Sequence, residues 1–316
     1  MSLLAILAGG RTAAAPAAST PPPGTAVDPD ALPTPADTMT AQLRPTGRSI
    51  GTLRVGPTRA YKTLPEAAAK AKNIQSATMA TEGATTLTPN YRVDIIVDPG
   101  VYDQGMQGLV IPEFTAWYAA DTTPHSTTVV DGLNQGANVY WEGVDIERRI
   151  NGLWEPKYAF HFQVGGTTIL ANCRLTNSDP ASGGAGTWAG MDGSNNGALL
   201  FYNVDGVVGT PTLTQGTNLH GAATNTAPNT VMYVDCTSNG ALAWSDLGSG
   251  QASQVWIVGT SAQGIVADSY APSATIHLAP SSVVTANSWN GALDTRADWP
   301  IPVGGLSPYW RAQLGL

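Results

Sequence analysis

Charge is the scarcest ingredient of this chain. Asp, Glu, Lys and Arg make up 12% of its 316 residues, about half the usual share of roughly 25%. Lys and Arg number 15 against 23 Asp and Glu, for a net charge of −8. No basic stripe is available to neutralise a run of phosphates, which argues against nucleic acid as a partner. The same scarcity argues against long amphipathic helices, whose solvent face needs charge. Cysteine is nearly missing. Cys173 and Cys236 cannot build a disulfide framework or a zinc site, and both sit in apolar segments that suit small buried side chains. No apolar run approaches the roughly 20 residues of a bilayer span. The opening run Leu3–Ala8 is shorter than a secretory core and has no basic residue ahead of it, although an Ala-rich stretch follows. No Ser-His-Asp set, phosphate loop or dinucleotide fingerprint is present.

What is present divides into an arm, a shaft and a tail. Residues 1–50 carry eight prolines, from Pro16 to Pro45, and few aromatic or β-branched apolar residues. Such a segment is expected to stay extended, because it buries too little surface to offset its ordering entropy. It is expected to be an attachment arm, removable with little change in the melting temperature of the rest. Residues 51–285 are expected to form the folded domain. Residues 286–316, with Trp289, Trp299 and Trp310, are expected to form a C-terminal cap or tail.

The folded part opens with Thr63-Leu64-Pro65-Glu66, a capping box with proline in the first turn. Ala67, Ala68, Ala71 and Ile74 then recur at helical spacing, which predicts a short helix near 64–74. Tyr91 to Val97 is a strand by its β-branched content, closed by the turn Asp98-Pro99-Gly100. Short strands then recur at 139–146, 169–175, 199–204, 231–236 and 255–260. Aligning Gly143, Cys173, Val204, Cys236 and Thr260 gives successive offsets of 30, 31, 32 and 24 residues. A period in this range signals a solenoid, and the absence of a helical pattern makes it all-β. Alternation along these strands predicts that Val144, Ile146, Leu175, Val204, Val234 and Val258 point inward.

These segments resemble the pectin-lyase-like right-handed parallel β-helix superfamily. Val55-Gly56-Pro57 through Tyr61-Lys62-Thr63-Leu64-Pro65-Glu66-Ala67 is similar to the opening of pectinesterase-type chains. The strand Val93–Val97 followed by Asp98-Pro99-Gly100-Val101-Tyr102 resembles their first rung. The resemblance implies a right-handed single-stranded parallel β-helix with a short N-terminal capping helix. About 195 residues at roughly 24 per rung would give about eight rungs and a shaft of about 40 Å. The esterase rungs Gln-Asp-Thr-Leu and Asp-Phe-Ile-Phe-Gly and the later Arg-x-Trp are missing. Between Lys157 and Ala292 the sole basic residue is Arg174, which also speaks against the calcium-assisted lyases.

The best remaining catalytic candidates are Asp145 and Glu147, with Trp141 beside them to stack on a sugar. If Val144 and Ile146 point inward, all three lie on the outer face. Carboxylates at i and i+2 stand about 7 Å apart, inside the range of inverting glycosidases. Asp192 opens a stretch that partly matches a calcium loop but lacks its closing bidentate acid. The four histidines are scattered singly. No cofactor is implied. By analogy with other proteins of the resembled fold, a small β-solenoid with a Pro/Ala-rich arm, little charge and no assembled catalytic motif is expected to be a non-catalytic part of a phage particle: a minor tail, spike, fibre or capsid-decorating protein. Residues 1–50 would contact other virion proteins, copies would associate into a homo-oligomer such as a trimer, and a host-surface glycan would be a possible ligand. A polysaccharide-degrading β-helix enzyme, on a tail spike or secreted, is the rival.

Overall fold

Thr63 begins the first long element as the sequence requires. Its hydroxyl accepts from the Glu66 backbone N–H at 3.3 Å, and the Glu66 carboxylate accepts from the Thr63 N–H at 3.2 Å. The cap helix runs Leu64–Glu82, longer than expected, because good helix formers continue past Ile74 until Gly83 ends it in the left-handed region (φ 68°). Leu64, Ala67, Ala68 and Ala71 are buried and join the core cluster that runs through the shaft. Gln75, 3% exposed, donates to the carbonyls of Tyr91 at 3.2 Å and Glu113 at 2.7 Å. Those bonds tie the helix to the first rungs.

This is a computed structural model that describes residues 31–103, 110–121, 123, 126–130, 133–135, 138–148, 158–162, 166–177, 187–192, 197–209, 217–221, 230–246, 254–267, 275–288 and 292–294. The expected tail tryptophans, the arm over 1–30 and most of the loop after Asp192 lie outside them.

The fold is an all-β parallel solenoid. One sheet stacks ten strands, from Ser49–Val55 through Arg92–Val97, Thr115–Ala119, Val139–Glu142, Gly166–Ala171, Gly197–Tyr202, Thr230–Val234, Gln254–Val258 and Thr275–Leu278 to Ala292–Asp294. Every neighbouring pair is parallel. A second sheet of twelve strands carries the remaining sides of the coil. Each rung therefore hydrogen-bonds to the rungs above and below rather than to itself, as a solenoid must.

Parallel stacking in register puts like side chains on top of one another. Trp117 stacks on Trp141 with ring centroids 5.0 Å apart, and Phe201 on Tyr233 at 5.1 Å. Trp117 Nε1 donates to Thr115 Oγ1 at 2.9 Å. One rung on, Val139 stands opposite Thr115, and the buried Nε1 of Trp141 has no acceptor. Val139→Thr keeps the shape and restores the acceptor. It should stabilise the protein by about 1 kcal/mol, the net worth of one buried hydrogen bond, measured by urea unfolding. An unchanged or lower midpoint would refute the assignment of that orphan.

Inward positions are as expected for Val144, Ile146, Leu175 and Val204, which join the interior cluster. Val234 and Val258 do not. Tyr233 and Ile257 take the interior positions, while Val234 belongs to a separate cluster on the outer face. The reason is a left-handed residue at each corner between the two sheets: Gly143 (φ 71°), Asn172 (54°), Asn203 (49°), Asp235 (52°) and Gly259 (59°). Such a residue interrupts the two-residue alternation, so that inward residues on either side of a corner are three apart. Phe201 and Val204 are one such pair; Tyr233 and Cys236 are another. Gly, Asn and Asp tolerate this backbone best.

The outer face of the ten-stranded sheet is buried as well. Tyr118, Tyr140, Leu200, Tyr202, Met232 and Trp256 form a second apolar cluster with Leu43. Leu32 and Met39 pack against it. The segment 32–44, including a short helix Thr38–Leu43 capped by Asp37, lies along the shaft as a strap. Arg44 meets Glu142, Thr40 meets Asn172 and Asp37 meets Tyr202. These partners lie on or just after successive strands of the sheet, so the strap crosses one rung every three or four residues. The compact unit thus begins at Leu32, not near Gly51. Composition misses this because three apolar side chains at the right spacing suffice when the shaft supplies the surface.

Candidate functional site

The corner between the two sheets opens into a lateral cleft of about 370 Å3, with Glu142, Asp145, Asn172, Arg174, Asn203 and Asp205 in its wall. Two rows build it. The corner row holds Asn172 and Asn203, whose left-handed backbone turns their amides along the axis. Asn203 Nδ2 donates to Asn172 Oδ1 at 2.7 Å, and Asn172 Nδ2 donates to Thr40 Oγ1 of the strap at 2.8 Å. The second row is the first outward position of the next strand on successive rungs. Asp145, Arg174, Asp205, Thr237 and Ser261 stand in register there. Arg174 Nε lies 3.3 Å from Asp205 Oδ2, and Thr237 Oγ1 donates to Asp205 Oδ1 at 2.7 Å. Acid, base and acid alternate along the row.

Asp145 and Glu147 do share one outward side of the strand Asp145–Arg148, since Ile146 and Arg148 between and after them are buried. Trp141 does not join them. It is 0% exposed and lies inside the shaft against Trp117, because Gly143 resets the alternation between it and Val144. The ring expected to hold a sugar is on the other side of the sheet, and no aromatic residue lines the described cleft. Asp192 ends the strand Thr187–Asp192; the rest of the calcium-loop candidate lies outside the described residues. Among the described residues no three His, Cys, Asp or Glu side chains gather as a metal site. No described helix is long and apolar enough to cross a membrane. Cys173 and Cys236 are buried, and burial pushes both thiols up to about 12, far from nucleophilic chemistry.

The most strongly perturbed groups lie under the strap, where sequence reasoning did not look. Arg44 grips Glu142 with two bonds, Nε to Oε2 at 2.7 Å and Nη2 to Oε1 at 2.6 Å. Tyr140 Oη donates to the same Glu142 Oε2 at 2.7 Å, and the Arg44 guanidinium sits 5.0 Å above the Tyr118 ring. Burial works against the Arg44 charge, but Glu142 outweighs it and holds Arg44 above its ordinary value. Burial raises both phenols, and for Tyr140 the Glu142 charge adds to it. Next to this pair, Arg92 bonds Asp94 at 2.8 Å and the Pro45 carbonyl at 2.7 Å. Perturbed groups can mark an active site. Here the Arg44–Glu142 pair is closed off between strap and shaft, and Arg92 fastens the residues that follow the strap, which together describe a lock.

No protein-family model matches the chain, and no curated protein or solved structure matches it.

Proposed function

We propose that the chain is a non-catalytic structural protein of a bacteriophage particle, built on a pectin-lyase-like β-helix. It would serve as a minor tail, spike, fibre or capsid-decorating component. The observation that carries the non-catalytic half is the side-chain pairing along the lateral cleft. Arg174 pairs with Asp205, Thr237 with Asp205, Asn203 with Asn172, and Asn172 with the strap. Glycoside cleavage needs two carboxyl groups flanking the bond and a surface that orients the sugar. Trp141, the candidate for that surface and for host-glycan binding, is inside the shaft.

Placement in a particle is supported by a stiff shaft joined to a Pro/Ala-rich N-terminal stretch. Because residues 32–44 fasten to the chain's own shaft, attachment to other virion proteins falls to residues 1–31. A chain lacking 1–31 should keep its fold by circular dichroism, yet fail to co-sediment with particles made from the genome that encodes it. Co-sedimentation of the truncated chain at the full-length level would sink the attachment assignment. The rival reading, a polysaccharide-degrading enzyme of a tail spike or a secreted relative, retains one favourable observation. Asp145 lines the cleft, and Glu147 faces outward on the same side of its strand.

A further inference from the structure

The strap and the face beneath it form a self-complementary pair carried by every copy of the chain. Arg44, Thr40 and Asp37 each meet one side chain near the ends of successive strands, namely Glu142, Asn172 and Tyr202, at 2.6 to 3.0 Å. Leu32, Met39 and Leu43 fill the apolar cluster between them. These latches run from side chain to side chain, so a strap from a second copy satisfies the same groups in the same way.

We propose that the outer face of the ten-stranded sheet is a docking groove for residues 32–44 of a second copy, exchanged reciprocally when copies assemble. Exchange of an identical element preserves every contact it makes. Concentration and the hinge then decide which copy supplies the strap.

The hinge favours exchange. Only Pro45, Thr46, Gly47 and Arg48 link Arg44 to the first strand, Ser49–Val55. Arg44 is already extended at φ −60°, ψ 137°, and Pro45 fixes its own φ. Gly47 presses so closely on Pro89 that a Cβ there would collide with the Pro89 carbonyl oxygen. A four-residue hinge that begins with proline leaves the strap little slack to fold back on its own shaft, and short hinges invite swapping. The face also cannot stay bare: Tyr118, Tyr140, Leu200, Met232 and Trp256 would form one large exposed apolar patch. A vacated groove therefore needs a strap from some copy.

This inference takes only its setting, an assembly of copies, from the structural reading above, and the two fail separately. The test is light scattering of the full-length chain over a concentration series. A second variant carries six Gly/Ser residues inserted between Thr46 and Gly47. The unaltered chain should form dimers at high concentration. The lengthened hinge should weaken that association about tenfold, equivalent to about 1.4 kcal/mol, with the circular dichroism spectrum unchanged. Pro45→Ala, which slackens the hinge without an insertion, should shift it the same way. A monomer at every concentration overturns the proposal. So does association that neither hinge change weakens, because the copies would then meet through another surface.

Discussion

Arg44→Ala should lower the unfolding free energy by about 3–5 kcal/mol, the cost of leaving a buried charge without its partner. Glu142 is the group left behind. Its side chain is 4% exposed, it receives two bonds from Arg44, and after the substitution it would keep the bond from the Tyr140 hydroxyl at 2.7 Å. The guanidinium also leaves the face of Tyr118, 5.0 Å away, so cation–π attraction is lost with it. The double variant Arg44→Ala with Glu142→Gln should recover a large part of the loss, because the stranded charge is gone. Urea unfolding of the three chains gives the answer. A loss under about 1 kcal/mol in the single variant would place this pair with ordinary surface salt bridges and make the strap an ornament. The prediction reverses the compositional expectation for residues 1–50: removing 1–31 should be tolerated, and removing the strap should not.

Phe201→Asp should be still more damaging, with a loss of more than about 4 kcal/mol. Phe201 is 0% exposed, stacks on Tyr233 at 5.1 Å, and pairs in register with Leu170 on the other side. A carboxylate there would stand between the buried side chains of Leu170 and Tyr233 in the apolar interior. Because rungs are stabilised by their neighbours, the damage should spread along the shaft rather than stay local. Phe201→Leu, which preserves hydrophobicity and loses volume, should cost less than half as much. Equal losses in the two variants would show that shape rather than charge decides at this position.

The rung period, the cap box at Thr63 and the strand after Tyr91 were legible in the sequence because each rests on local chemistry: a hydroxyl with a glutamate three residues on, β-branched runs, and apolar residues at regular spacing. Trp141, Val234 and Val258 were misplaced for one shared reason. Strict alternation was carried across Gly143, Asp235 and Gly259, where a left-handed residue resets it. The signal was available, since Gly, Asn or Asp precedes Val144, Cys173, Val204, Cys236 and Thr260 in turn. The strap was not legible in that way. Leu32, Met39 and Leu43 make a faint pattern, and their partners lie on rungs between roughly 70 and 220 residues further along. Asp145 and Glu147 were placed correctly on the outward side, because both follow the corner and no left-handed residue falls between them.

On the proposed reading, this shaft carries no cleaving site. Purified full-length chain should be incubated at high concentration with host-surface polysaccharides and with pectin, with and without calcium, and the products read by mass spectrometry. No new reducing ends and no unsaturated uronates are expected, because the cleft's polar groups pair with one another and Trp141, the expected sugar platform, is buried. Fragments that appear with the intact chain and vanish in folded Asp145→Asn or Glu147→Gln would contradict it and establish the depolymerase reading instead.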